Sequence, residues 1–331
     1  MIFSRKHQKK KEGSSSTVYD SPSPPIAFLS RRKNEEMKRS VLKSNLKNAL
    51  IKHNGSTCHP EVIEAICALS NLNFSLSSVN HEDVKADDEN SSNCLLDLLL
   101  GEFYTLSCPS FPGRVVSTTG GDNNLVQCTL GRLSFNMFQP TSLLCTVRSV
   151  RNVVSSRKTS NIGNNKGMDS NVDSLSYDFI MDITIHIPDR DNLSAYLLNE
   201  SYCYRSSQRQ HQDDRMKVCF TGSTLMPSQD VLLDDDKMIL WNNTFNQRAY
   251  QKAQKELSLV DTLVNSFTKR LLGITLSTTT NPSSYCLRLD FKRELHGHFD
   301  VLYIDKEIRI TRGNRGTIVV LDRLIPSTTN T

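Results

Sequence analysis

From Leu95 onward, apolar residues recur at every second position in one short segment after another. The clearest case is YDFIMDITIHI, where Tyr177, Phe179, Met181, Ile183, Ile185 and Ile187 share one face. Asp178, Asp182, Thr184 and His186 take most of the other. A period of two is the pattern of a half-buried antiparallel strand. RLSFNMF repeats it with Leu133, Phe135 and Met137, and LLCTVR with Leu143, Cys145 and Val147, QPT being the turn between them. KVCF and YCLRLDF follow, the second placing Tyr285, Leu287, Leu289 and Phe291 together. The closing stretch FDVLYIDKEIRITRGNRGTIVVLDRL holds three alternating runs, broken at DKE and GNRG. These carry Val301 and Tyr303, then Ile308 and Ile310, then Val319 and Leu321. At least eight strands of this kind, each apolar on one face, must close or sandwich to hide that face. A barrel of about eight strands leaves room for its own side chains or for one small ligand.

The period ahead of Leu95 is helical. Leu42, Leu46, Ala49 and Leu50 fall on one face, opposite Lys43, Ser44, Lys47 and Asn48. HNGST breaks the pattern, Pro60 opens a second helix in the favoured first turn, and Val62, Ile63, Ile66 and Leu69 form its stripe. The reading is therefore mainly β: an antiparallel β-barrel preceded by an N-terminal helical hairpin, with an inserted amphipathic helix. The expected boundaries are a basic Ser/Pro-rich leader over 1–34, the hairpin over 35–72, an acidic linker over 73–94 and the barrel over 95–325. Loop insertions are expected at 155–174 and 189–215, and the inserted helix at 244–272.

Composition narrows the function classes. The apolar fraction of 37% is low for a globular chain, which points to polar loops around an ordinary core. A net charge of +5 with the basic residues gathered at the N-terminus is not the footprint of a nucleic-acid-binding domain. Nine cysteines without a CxxC pair fit a reducing compartment, with most thiols acting as small apolar residues. No run reaches the 18 or so apolar residues of a membrane span, so a soluble or peripheral protein is expected. Residues 1–33 hold eight Lys or Arg and seven Ser but no apolar h-region, which excludes a secretory signal. Such a leader suits an organelle transit peptide or a disordered basic tail.

Few residues suggest chemistry. On a strand the HGH pair would put His296 and His298 on one face, but Leu302 and Tyr303 stand where a cupin-type glutamate would be needed. A surface pair is the reading preferred to a metal site, and no cofactor is expected. GNRG lacks a following helix, so Gly313 and Gly316 are expected to supply the positive φ of a hairpin turn. No nucleophile elbow, dinucleotide fingerprint or zinc-protease motif is present, and no catalytic residue is assigned.

GHFDVLYIDKEIRITRGNRGTIVVLDR resembles the C-terminal signature of the plastid-lipid-associated protein (PAP)/fibrillin family, through Tyr303, Asp305, Arg309, Ile310, Arg312, Gly313 and Gly316. TLGRLSFNMFQPTSLLC is similar to a strand–turn–strand of the family through Gly131, Arg132, Ser134 and Phe135, and GEFYTLSC to its opening strand, with Phe103 in place of the usual Trp. The resemblance covers roughly 40–150 and 283–324. It implies a lipocalin-like barrel, a plastid (chloroplast) address at plastoglobules or thylakoids, and a non-enzymatic role in binding or sequestering lipids, carotenoids or isoprenoid quinones. The implied partners are a hydrophobic small molecule and a peripheral membrane or plastoglobule surface, with no protein partner identified. The resemblance also favours the transit-peptide reading of the leader. Candidate cavity residues are Phe103, Phe135, Met137, Tyr177, Phe179, Met181, Ile183, Leu287, Leu289 and Tyr303. A structural role is expected for Gly131, Arg132, Gly313, Gly316 and for Asp305, Arg309 and Arg312, the last three as a charge pairing that fixes the barrel end. The alternative is an interaction protein with a filled barrel that docks on a lipid-metabolic enzyme or a membrane surface.

Overall fold

The computed structural model describes residues 26–79, 93–109, 126–157, 174–205, 215–245, 274–275 and 285–324. The chain divides into two compact units, 1–41 and 42–331. Helix α1 (Ile26–Lys52) ends where Asn54 and Gly55 turn left-handed and the Gly55 N–H donates to the Leu50 carbonyl at 2.7 Å. Helix α2 (Pro60–Val79) starts on its proline and α3 (Asn93–Leu99) precedes the first strand. The strands are β1 (Gly101–Thr105), β2 (Val126–Thr129), β3 (Leu144–Ser156), β4 (Ser174–His186), β5 (Leu193–Arg205), β6 (Arg215–Pro227), β7 (Ile274–Thr275), β8 (Leu287–Ile304), β9 (Ile308–Gly313) and β10 (Ile318–Arg323). Three short helices interrupt them: α4 (Leu130–Leu133), α5 (Gln229–Leu232) and α6 (Asp235–Phe245).

Eight of these strands close into an antiparallel barrel in the order β1-β10-β9-β8-β6-β5-β4-β3 and back to β1. The opening strand makes the closure: Phe103 stands opposite Arg323 of β10 on one side and Asn152 of β3 on the other. Strand β2 prolongs the sheet beside β3, and β7 pairs with β8. The three runs that end the chain are two successive hairpins, β8–β9 and β9–β10, as their spacing predicts.

Two apolar clusters occupy the barrel. One gathers Val154, Leu175, Tyr177, Met216, Val218, Phe299, Val301 and Ile304 under Leu99 of α3. The other gathers Cys145, Val147, Met181, Ile183, Ile185, Leu193 and Leu225 under Leu130, Leu133, Met137 and Phe138, with Trp241 and Phe245 of α6 alongside. A third cluster lies outside the wall, where Leu46, Leu50, Val62, Ile66 and Leu69 of the helical hairpin cover Tyr303, Ile308, Ile310 and Val320. Each fully buried aliphatic side chain there contributes about 1.5–3 kcal/mol. The stripe read from the sequence is nearly complete, except that Ile63 is exposed.

Three expectations are corrected. RLSFNMF is not a strand: α4 occupies its start, Phe135 and Asn136 are left-handed at φ 52° and 60°, and Phe135 is exposed. Capping the barrel end needs a compact knot, and Leu133 and Met137 reach the core through it. Gly131 is required there, because an added Cβ would stand 2.6 Å from Asn136 Oδ1 and 2.8 Å from Thr141 Cβ. The stretch 189–215 holds the thirteen-residue strand β5, not only a loop. Its inward positions include Ala195, Asn199, Ser201 and Cys203, small or polar residues that blur the alternation. Of the GNRG glycines, Gly316 has a positive φ, 77°, and Gly313 does not. Most of the leader and of the 155–174 insertion, and all but the first two residues of the 244–272 helix, lie outside the described residues.

Asp305, at the β8–β9 turn, ties the hairpin to the barrel. Its carboxylate accepts from the N–H groups of Glu307 and Ile308, both at 2.8 Å, from the Tyr303 hydroxyl at 2.8 Å, and pairs with Lys43 Nζ at 3.0 Å. Burial by itself would raise its pKa, but those donors prevail and hold it below the usual aspartate value. A depressed carboxylate stabilises the fold above the unfolded pKa of about 3.9 and loses that contribution as pH falls through the folded value. In urea unfolding followed by circular dichroism, wild type is expected to lose stability below about pH 4, and Asp305→Asn to start lower and lose less over that interval.

Candidate functional site

The site is the waist of the barrel, between its two interior clusters. On β4 the inward face runs Leu175, Tyr177, Phe179, Met181, Ile183 and Ile185, and Phe179 falls at the break between clusters. Across from it stand Asn152 on β3 and Asn199 on β5. Ser223 on β6 is the partner of Asn199, and its hydroxyl donates to Asn199 Oδ1 at 2.9 Å and to the Leu198 carbonyl at 3.1 Å. Phe179 and Phe220 stack at 6.1 Å. Although both rings and Val150 face inward, all three are only half-buried, whereas Asn152, Ser201 and Ser223 beside them are buried. A packed core buries its rings completely. Here the two aromatic rings are packed only in part, and Val150 also borders a cleft in the wall.

Next to the waist lies Arg309, fully buried. Its guanidinium sits over the Phe103 ring at 4.3 Å and the Tyr177 ring at 5.4 Å, and one nitrogen donates to Asn152 Oδ1. Nε and Nη1 make no hydrogen bond, and no carboxylate among the described residues pairs with it. Burial pushes its pKa down, with the Tyr177 and Cys203 side chains acting the other way. Arg323 also stands over the Phe103 ring, at 4.4 Å, and donates to the Leu98 and Leu100 carbonyls at the end of α3. Two cations thus stand over one ring, an attraction worth about 2 kcal/mol for buried Arg309 and about 0.5–1 kcal/mol for the more exposed Arg323.

The wall has a seam. Strand β3 pairs with β2 over Leu144–Val147 and with β1 over Arg151–Val154, so among the described residues no strand pairs with Arg148 to Val150 on that side. A cleft of about 360 Å³ opens there, lined by Lys47, Leu50 and Ile51 of α1, Leu106 to Pro109, and Val147 to Val150. Val147 belongs to the interior cluster and Val150 packs against it, so the cleft borders residues of the barrel lining.

The candidate residues separate accordingly. Phe103, Tyr177, Phe179, Met181, Ile183, Leu287 and Leu289 face the interior. Met137 belongs to the end plug, and exposed Phe135 lines nothing. Tyr303 faces outward beneath the helices. Asp305, Arg309 and Arg312 do not pair with one another: Asp305 binds Lys43, Arg312 binds Asp300 at 3.3 Å, and Arg309 is internal. Arg132 is exposed. Asn152, Asn199, Ser223 and Arg323 escape a search for apolar faces. Their signal is a polar residue on the inward phase of a strand whose neighbours are buried, as with Asn152 between Val150 and Val154.

The PAP_fibrillin family model matches residues 200–322, from the second half of β5 to β10. This is the family that the closing segment resembles, and the match takes in residues 200–282, which the resemblance left out. No curated protein and no solved structure matches the chain.

Asn152 holds the one hydrogen bond of the buried guanidinium. Asn152→Leu is expected to cost about 3–5 kcal/mol in urea unfolding, since it strands a buried charge. Adding Arg309→Met should recover more than half of that loss, because removing both partners removes the stranded group.

Proposed function

We propose that the protein is a non-catalytic plastid protein that holds a lipid, carotenoid or isoprenoid quinone in its barrel, at plastoglobules or thylakoids. One observation carries this reading: the barrel interior is interrupted at the waist, where Phe179, Phe220 and Val150 face inward yet remain half-buried. Inward-facing apolar side chains that their neighbours pack only in part are what a hydrophobic ligand would cover. The seam beside Val147 and Val150 gives such a molecule a way in. Asn199, whose oxygen is engaged by Ser223, keeps its amide nitrogen for a carbonyl or hydroxyl at the polar end of the ligand. The family match supports the plastid address and the lipid class.

The energetics fit carriage. Covering about 400 Å² of an isoprenoid chain yields on the order of 10 kcal/mol. With an association cost at the low end, roughly 4 kcal/mol, about 6 kcal/mol remains, an affinity of tens of micromolar.

The test is lipid extraction and mass spectrometry of the protein purified from plastid tissue, together with binding of a fluorescent polyene fatty acid. A co-purifying hydrophobic molecule is expected, and Phe179→Trp should weaken probe binding at least about tenfold, roughly 1.4 kcal/mol, while stability changes little. If nothing co-purifies and Phe179→Trp only destabilises, by about 1–3 kcal/mol as overpacking does, the barrel is filled and the protein acts by docking.

A further inference from the structure

The outer face of the barrel carries a group of side chains that neither the closed wall nor the interior requires. Tyr202 on β5, Cys219 on β6 and His296 on β8 are successive cross-strand partners, so they form one row across three strands. Glu294 lies two residues before His296 on β8, hence on the same face. Cys219 Sγ is 3.1 Å from His296 Nδ1, and the Tyr202 hydroxyl donates to Glu294 Oε2 at 2.7 Å. One ligand atom from each of Cys219, Glu294 and His296 falls within 4.8 Å of the others. Cys219 is buried although it faces outward, with the Tyr202 and Tyr204 rings stacked next to it at 6.2 Å, while His296 is open to solvent.

We infer that Cys219, Glu294 and His296 form a zinc site with three protein ligands and a fourth position open to water. Thiolate, imidazole and carboxylate are the donors zinc prefers. Tetrahedral zinc with metal–ligand distances of roughly 2.0–2.3 Å needs ligand atoms about 3.3–3.6 Å apart, so the cluster reaches that geometry by shifts of about an ångström. The Tyr202 hydroxyl orients the glutamate, the supporting contact such ligands need. Cys219 and His296 lie on backbone that is already paired, and Glu294 stands beside them at the register shift between β6 and β8, where the Tyr202 hydroxyl holds its carboxylate. The other group of possible ligands, His53, His59 and Glu61, is a poorer candidate. Lys52 Nζ occupies the Glu61 carboxylate at 2.8 Å, and the two imidazoles stack on each other at 3.3 Å.

The test uses the full chain, stripped of metal and titrated with Zn²⁺ by calorimetry and with Co²⁺ by absorption spectroscopy. One equivalent of either ion is expected, with the near-ultraviolet charge-transfer band of a cobalt–thiolate bond. Cys219→Ser should abolish the band, and Glu294→Gln and His296→Gln should each weaken Zn²⁺ binding at least about tenfold, while His53→Gln/His59→Gln changes neither. The His296 variant alters an exposed side chain, so it decides the matter even if Cys219→Ser fails to fold. Absence of the band in wild type, unchanged affinity in His296→Gln, or loss of binding only in His53→Gln/His59→Gln would each overturn the assignment.

Discussion

The barrel depends on a single stack of side chains at the strand that closes it. Phe103 is the one residue of β1 that stands opposite β10 and β3 at once and points inward at both. Its ring is in contact with the guanidinium groups of both Arg309 and Arg323. Arg309 ties β9 to β3 through Asn152, and Arg323 ties β10 to the end of α3 through two carbonyls. Opening, closing and capping elements therefore meet at one buried ring. A charge buried without a carboxylate is costly, so the arrangement persists only while the aromatic faces and Asn152 remain in place. That dependence makes the closure specific in register, because a one-residue slip of β1 would turn Phe103 out, leaving Arg323 without a ring and Arg309 with Tyr177 alone.

The same strands carry two functions on their two faces. Inward, they frame a waist whose rings are packed only in part, next to a seam where β3 passes from one partner strand to another. Outward, β8, β9 and β10 support the helical hairpin, and Lys43 and Lys47 hold it to Asp305 and Asp322. Helix α1 also lines the seam cleft through Lys47, Leu50 and Ile51. Docking of the hairpin and shape of the proposed entry are thus set by the same two turns of helix.

Much of this could be read from the residues. The alternation in β4, the two closing hairpins and the helical stripes all follow from spacing. The inward orientation of Tyr177, Phe179, Met181, Ile183, Leu287 and Leu289 follows from the same alternation. The failures share a cause: in-and-out cannot be read from polarity where both faces of a strand are covered. In β9 the apolar phase, Ile308 and Ile310, lies under the helices, and the polar-looking phase, Arg309 and Thr311, faces the barrel. Tyr303 was assigned to the interior by the same logic and lies outside it. Strand β5 read as a loop because its inward residues are small or polar.

The amino-acid sequence by itself determined that this chain makes an antiparallel barrel with a helical hairpin ahead of it, since period and turn residues are local properties. Its family likeness is equally a property of short segments. Tertiary structure alone decided which phase of β8 and β9 faces inward, that Arg309 is enclosed by rings and an amide instead of a carboxylate, and that Cys219 meets His296 across 77 residues. Those outcomes depend on what covers each face and on which distant strand becomes a neighbour. No local pattern encodes either.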